Sequence, residues 1–72
     1  MNRDKMPHKL IEIIDSIFNP NHTTEEWFAL EKEVNEYLKT LTDEQLEFFT
    51  ASGAGETLYM VCSGLRFMAE PT

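Results

Sequence analysis

The chain has 72 residues, and its 13 acidic side chains against 6 basic ones give a net charge of −7. This length allows one small domain over residues 1–72 and is too short for a dinucleotide-binding fold or a TIM barrel. An apolar fraction of 42% is too high for a disordered chain. A single cysteine excludes an internal disulfide and a multi-cysteine zinc site.

The apolar residues are not arranged as a membrane span or a signal peptide. No apolar run approaches the roughly 18 residues that a span needs, and acids interrupt the apolar residues near the N-terminus. The unpaired Cys62 fits a reducing compartment. We therefore expect a cytoplasmic protein without a membrane segment, whose limited core is completed by a dimer or a partner.

Turn signals at residues 19–22, 40–43 and 52–55 divide the chain into four segments, none with the strict apolar alternation of a strand. The first segment predicts a helix over residues 7–18, with Pro7 in the first turn, where its missing N–H costs nothing. Its apolar residues fill one broad face. That face comprises Met6, Leu10, Ile11, Ile13, Ile14, Ile17 and Phe18.

The second segment predicts a helix over residues 24–40, and Thr23 with Glu26 has the spacing of a capping box. Apolar residues spaced three and four apart form one stripe along this helix, and Phe28 lies outside that stripe. The stripe comprises Trp27, Leu30, Val34, Tyr37, Leu38 and Leu41. Acids form a ridge on the opposite side, composed of Glu25, Glu26, Glu33 and Glu36.

The third segment predicts a helix over residues 43–51, again with capping-box spacing, at Thr42 and Gln45. We expect Gly53 to end this helix in a left-handed conformation and Gly55 to lead into a fourth helix over residues 56–69. The alternative is one bent helix over residues 43–69, with the glycines at the bend.

The fourth segment is apolar on two sides. Its main stripe comprises Leu58, Val61, Cys62, Leu65, Met68 and Ala69, and its second comprises Met60, Gly64 and Phe67. A helix apolar on two sides either lies at the centre of a bundle or is shared with another subunit. The sequence therefore predicts an all-α, four-helix bundle-like domain, with Met60, Gly64 and Phe67 as the candidate interface of a homodimer.

The negative charge is concentrated in one part of the chain. Residues 25–47 carry a net charge of −6, nearly all of the total. This segment is either a solvated face that keeps the protein soluble or a surface that recognises a basic partner. The boldest version of the second interpretation is mimicry of nucleic-acid phosphates. Six unclustered basic residues argue against direct binding to nucleic acid.

The sequence contains two pairs of adjacent aromatic residues, Trp27-Phe28 and Phe48-Phe49. On a helix, the two members of such a pair cannot both face the same core. Either both members pack against different neighbours, or one of each pair is partly exposed beside the acids, as aromatic anchors are in protein interfaces. The predicted partner-binding surface comprises Glu25, Glu26, Phe28, Glu33, Glu36, Asp43, Glu44, Glu47 and Phe48.

No residue pattern indicates catalysis, a cofactor or a metal. Cys62 on an apolar stripe is typical of an inert buried thiol, and His8 and His22 share no helical face, so we expect surface histidines. The glycine-containing segment 52–57 lacks the lysine of a phosphate-binding loop and does not follow a strand. We expect the acids, Glu31 among them, to be solvated rather than paired for catalysis.

The sequence thus favours a non-enzymatic interaction module, a small regulator or inhibitor that docks on a basic protein surface. In size and charge the chain resembles small phage-encoded proteins that inhibit host factors. The alternative is a structural helical subunit or assembly factor that acts as a homodimer through the fourth helix.

Overall fold

A computed structural model of the protein describes residues 5–69. This part of the chain folds into four helices: α1 (His8–Ile17), α2 (Thr24–Leu38), α3 (Asp43–Ala51) and α4 (Ala54–Ala69). No strand occurs among the described residues, so the predicted all-α, four-helix domain is confirmed. In the same region, no helix combines the length and the apolar character that crossing a membrane requires.

Both predicted capping boxes are present at the starts of α2 and α3. The Thr23 hydroxyl accepts a hydrogen bond from Glu26 N–H at 3.1 Å, and the Glu26 carboxylate accepts one from Thr23 N–H at 2.9 Å. Thr42 and Gln45 repeat this exchange at 3.3 and 2.9 Å. Each box provides acceptors for N–H groups that a helix start leaves without intrahelical partners.

Helix ends differ slightly from the predicted ones. Pro7 lies just outside α1 and provides its first carbonyl acceptor, at 3.1 Å from Leu10 N–H. The second helix ends at Leu38 rather than residue 40, because Thr40 N–H turns back to the Tyr37 carbonyl at 2.9 Å. Each difference is one or two residues and arises where local turns compete with the last helical hydrogen bonds.

The third and fourth helices are separate, and Gly53 makes the break. Its φ of +79° is the left-handed conformation predicted for the end of α3. Its carbonyl accepts from Thr57 N–H at 3.1 Å, so α4 begins at Ala54, two residues earlier than expected. Gly55 therefore lies inside the first turn of α4 instead of leading into it. The alternative of one bent helix is not adopted.

The core is built around α4, which packs against each of the other three helices. The buried side chains come from all four helices and from Met6, two residues before α1. They are Met6, Leu10, Ile13, Ile14, Ile17, Trp27, Val34, Phe49, Ala54, Leu58 and Cys62. Because isoleucine has only moderate helix propensity, the buried face of α1 is held by packing rather than by intrinsic preference.

Two residues assigned to the broad apolar face of α1 and to the main apolar stripe of α4 lie outside the core. Phe18 is 50% exposed because it caps the C-terminus of α1, where the chain turns towards Asn19. Met68 is 74% exposed, since it lies about 80° around the helix from the buried Leu58. The side chain of Ala69, placed on the same stripe, lies outside the described residues.

Candidate functional site

The acids of the predicted partner-binding surface are all exposed. Four lie on α2 and three on α3: Glu25, Glu26, Glu33, Glu36, Asp43, Glu44 and Glu47. Two of them already have local partners. Glu26 completes the capping box of α2, and Glu36 lies 3.5 Å from the ammonium of Lys39. An exposed pair of that kind contributes little to stability.

The two aromatic residues of this predicted surface are half-buried. Both Phe28 and Phe48 pack against the core cluster, and each neighbour in sequence, Trp27 and Phe49, is buried within it. Of the two arrangements open to adjacent aromatics, the structure is closer to packing against different neighbours. Phe28 and Phe48 thus expose much less of their rings than the aromatic residues of α4 do.

An ion pair covers part of the Phe28 ring. The Arg66 guanidinium donates two hydrogen bonds to the Glu31 carboxylate, one of them 3.1 Å long, and its central carbon lies 5.2 Å from the centre of the Phe28 ring. The Arg66 guanidinium thus combines a bidentate contact with a carboxylate and a cation–π contact with an aromatic ring, both of which are favourable interactions of arginine. The pair joins α2 to α4, so Glu31 is not the solvated acid expected from the sequence.

Cys62 lies within the core, as its apolar stripe predicts. Its thiol is fully buried and donates to the Trp27 carbonyl at 3.7 Å. Burial raises the pKa of this thiol, and the nearby Glu31 carboxylate raises that pKa further, with Arg66 acting in the opposite direction. The thiol is therefore protonated at neutral pH and inaccessible, which makes it a poor nucleophile.

His22 is a packing residue rather than the surface histidine that we expected. Its Nε2 lies 2.7 Å from the Ser16 carbonyl, and its ring meets the Trp27 ring edge-on with centroids 4.6 Å apart. His22 thereby fastens the loop between α1 and α2 to both helices. His8 is exposed as predicted. Across residues 5–69, no three metal-binding side chains come together.

Among the described residues, the surface has one depression between α2 and α4 and another between α1 and α2. The first has a volume of about 270 Å³, and its only lining carboxylate is Glu31, which Arg66 binds. The second has a volume of about 420 Å³ and is lined mainly by polar side chains, among them Lys9, Glu12 and Glu33. Ser16 also lines the second depression, and its carbonyl lies 2.7 Å from His22 Nε2.

The most unusual surface is the side of α4 that faces away from the core. Met60 is 71% exposed and Phe67 79% exposed, and Phe67 lies about 180° around the helix from the buried Leu58. Tyr59 and Met68 flank them and are also largely exposed. Gly64 lies between them, with open space where a Cβ would be. We call these five residues, Tyr59, Met60, Gly64, Phe67 and Met68, the outer face of α4.

The outer face of α4 carries few charges, and the exposed Glu56 lies at its N-terminal end, one turn before Met60. Between Glu56 and Glu70, Arg66 is the only charged residue of the sequence, and its guanidinium is bound to Glu31. The nine residues 57–65 carry no charge, and Met60 and Gly64 both lie within this stretch. The sequence predicted the second apolar stripe of the fourth helix, and the structure leaves that stripe uncovered.

Comparisons with protein-family models, with curated proteins and with solved structures find no match for this chain.

Proposed function

We propose that the protein is a non-enzymatic protein-interaction module, a small helical regulator or assembly factor, and that it binds through the outer face of α4. The observation that carries this proposal is the exposure of Met60 and Phe67 on the side of α4 opposite the core. The acidic surface of α2 and α3 takes a supporting role in keeping the protein soluble.

The hydrophobic effect favours covering an exposed apolar surface of this kind. Scattered apolar residues are normal on protein surfaces, but contiguous exposed patches of several hundred Å² commonly mark binding sites. Tyrosine, phenylalanine and methionine are enriched at such sites because they bury much area or adapt to the partner's shape. The outer face of α4 consists of these residue types around Gly64.

A second candidate is docking of the acidic surface on a basic protein. The observation that favours it is the exposure of seven acids on α2 and α3 within a segment of net charge −6. Such a surface would steer a basic partner towards the protein and bind it in a salt-sensitive way. Mimicry of nucleic acid, or inhibition of a host factor by a phage-type protein, would be particular forms of this candidate.

A photo-reactive amino acid can distinguish the two surfaces. We would introduce it at Phe67 on the outer face of α4 and, as a matched control, at Glu36 on the acidic side of α2. Both positions are exposed, so neither replacement disturbs the core. Cross-linking is carried out in the cells that make the protein, and adducts are identified by mass spectrometry.

The proposal predicts protein adducts at position 67 and few or none at position 36. Adducts at position 36 alone would transfer the function to the acidic surface. The absence of adducts at both positions, with the protein folded and expressed, would contradict both candidates.

A further inference from the structure

We propose that the outer face of α4 is covered by a second copy of this chain, in an antiparallel pairing whose twofold axis passes between Ser63 and Gly64. This inference rests on the proposed function, because it names the partner of the same surface.

The order of residues along α4 is self-complementary. Met60 precedes Ser63 by three residues, and Phe67 follows Gly64 by three. An antiparallel pair centred between Ser63 and Gly64 therefore places Met60 of each copy against Phe67 of the other. A symmetric dimer requires this reciprocity, in which two different residues contact each other twice. Sulfur against an aromatic ring is a favourable contact in its own right.

The centre of this pairing is shaped for close approach. Apart from its two chain neighbours and the backbone of α4 itself, no heavy atom lies within 4 Å of the position that a Cβ on Gly64 would occupy. With serine and glycine at the crossing point, two helices can reach the short end of the usual interaxial range of about 8–10 Å. At that spacing the side chains of Met60 and Phe67 pack on either side of the crossing.

The exposed area suits a small homodimer. Side chains of the size of Tyr59, Met60, Phe67 and Met68, exposed as they are here, present together on the order of 600 Å² of surface. Standard protein interfaces bury about 800 Å² on each partner. About 600 Å² is the most that the outer face of α4 can supply, because Tyr59 and Met68 lie about 180° apart around the helix, at the two edges of the contact. Met60 and Phe67 form its centre, and a polar rim would supply the remainder.

Charge does not separate the antiparallel from the parallel arrangement. Glu56 precedes the proposed axis by 7.5 residues and Glu70 follows it by 6.5, so the residue order of an antiparallel pair brings Glu56 of one copy level with Glu70 of the other. A parallel pairing in register would place the two Glu56 side chains together and would set Met60 against Met60. The contact of Met60 with Phe67, which only the antiparallel pairing makes, therefore distinguishes the two arrangements.

Disulfide cross-linking tests the arrangement, with cysteine introduced at one position at a time. We expect Ser63→Cys to cross-link to itself across the axis. Met60→Cys and Phe67→Cys should cross-link when mixed and only weakly when each is alone. The unmodified chain is the control, because its only cysteine, Cys62, is fully buried. Lys32→Cys, exposed on α2, controls for random collision.

Sedimentation equilibrium provides the second measurement. The apparent mass of the natural chain should rise with concentration from 8.4 kDa towards twice that value. We expect Phe67→Glu to weaken the dimer roughly 100-fold, because the pairing would bury an unpaired carboxylate. Helical circular dichroism confirms that each variant is folded, and Gly64→Leu gives an independent disruption at a position with space for the side chain.

The possible results separate this inference from the proposed function. A natural chain that stays at 8.4 kDa over the whole concentration range overturns the inference. If position 67 nevertheless cross-links to another protein in cells, the proposed function stands with a different partner. If it does not, both fail. A dimer in which Met60→Cys and Phe67→Cys each cross-link to themselves overturns the antiparallel arrangement.

Discussion

The Glu26 carboxylate accepts a hydrogen bond from Thr23 N–H at 2.9 Å, at the positive end of the α2 dipole. This hydrogen bond is the main reason why the pKa of Glu26 is lowered from its ordinary value of 4.5. The Thr23 side chain and the nearby His22 act in the same direction, and desolvation opposes them. The folded state favours the ionised form of this carboxylate, so Glu26 contributes to stability only while it is ionised.

The pKa of Glu26 is about 4.5 in the unfolded chain and lower in the folded protein. The free energy of unfolding should therefore decrease as the pH falls below about 4.5 and through the folded-state pKa. Above that range the contribution of the ionised carboxylate is complete. In Glu26→Gln, which keeps an oxygen acceptor but does not titrate, this part of the pH dependence should disappear. Urea unfolding midpoints of both proteins between pH 3 and pH 7 provide the measurement.

Glu25→Gln is the matched control, since it removes one carboxylate from the same first turn without touching the capping box. The stability difference between the natural chain and Glu26→Gln should shrink towards acid pH more than the difference for Glu25→Gln. Equal behaviour of the two variants would show that the capping hydrogen bond does not control the titration.

At the residue scale, the sequence is informative only about nearby groups. Both capping boxes could be predicted because their partners are three residues apart and need no tertiary contact. The pair of Glu31 and Arg66 could not be predicted, because its members are 35 residues apart and meet only when α2 packs on α4. His22 was missed for the same reason, since its partners lie on two helices.

At the scale of the helix, exposure rather than residue type decides which apolar side chains stabilise the fold. Ile17 and Phe18 are adjacent at the end of α1, yet Ile17 is buried and Phe18 is half exposed. The apolar stripe assigned both to the core, because a sequence pattern does not show where the chain leaves the helix.

We expect Ile17→Ala to lower the free energy of unfolding by about 2–5 kcal/mol, through lost burial and an unfilled cavity. Phe18→Ala should cost about 1 kcal/mol or less, although it removes a larger side chain. Urea unfolding followed by circular dichroism measures both. Equal losses would mean that Phe18 is covered in solution in a way that the structure does not describe.

The glycines around α4 offer a second matched pair. At both Gly53 and Gly64 a Cβ would meet no atom within 4 Å, so only the backbone differs between them. Gly53 has a φ of +79°, whereas Gly64 lies within the α4 helix. Any difference between the two alanine variants therefore reports backbone conformation alone.

Gly64→Ala should raise the free energy of unfolding of the monomer by about 1 kcal/mol through helix propensity. Gly53→Ala should lower it by about 1–2 kcal/mol, because a side chain disfavours the left-handed conformation. Thermal unfolding at concentrations below dimer formation measures both. A destabilising Gly64→Ala would show that position 64 is crowded, contrary to the open space found there.

Helix limits show the same division between local and tertiary information. The predicted limits of α3 were confirmed because its cap at Thr42 and its terminating Gly53 are local signals. The start of α4 was predicted two residues late, because glycine is a poor helix former and Gly55 was taken as part of the loop. In the folded chain the α4 hydrogen bonds begin at the Gly53 carbonyl.

At the scale of the whole molecule, α4 has two separate roles. Its inner side packs against the other three helices and so completes the core. Its outer side carries Met60 and Phe67 to the surface. A domain of 72 residues buries a smaller fraction of its surface than a larger one, and association is a common way to compensate.

The distribution of charge fits this division. Residues 25–47 hold a net charge of −6, whereas the segment between Glu56 and Glu70 holds only the paired Arg66. Apolar association through α4 should therefore depend little on salt, in contrast to docking through the acidic surface. The sequence favoured the acidic surface, with the fourth helix as the alternative. We reverse that order because the fold leaves Met60 and Phe67 exposed, which a sequence pattern does not show.

The methionine methyl groups test the central claim most directly, by NMR of protein labelled at those methyls and diluted from about 1 mM to about 10 μM. Met60 lies on the outer face of α4, and the buried Met6 is an internal control. We predict that the Met60 signal shifts with concentration while the Met6 signal does not, and that Phe67→Glu abolishes the shift. A Met60 signal that is independent of concentration in the natural chain would contradict the pairing of two copies through α4.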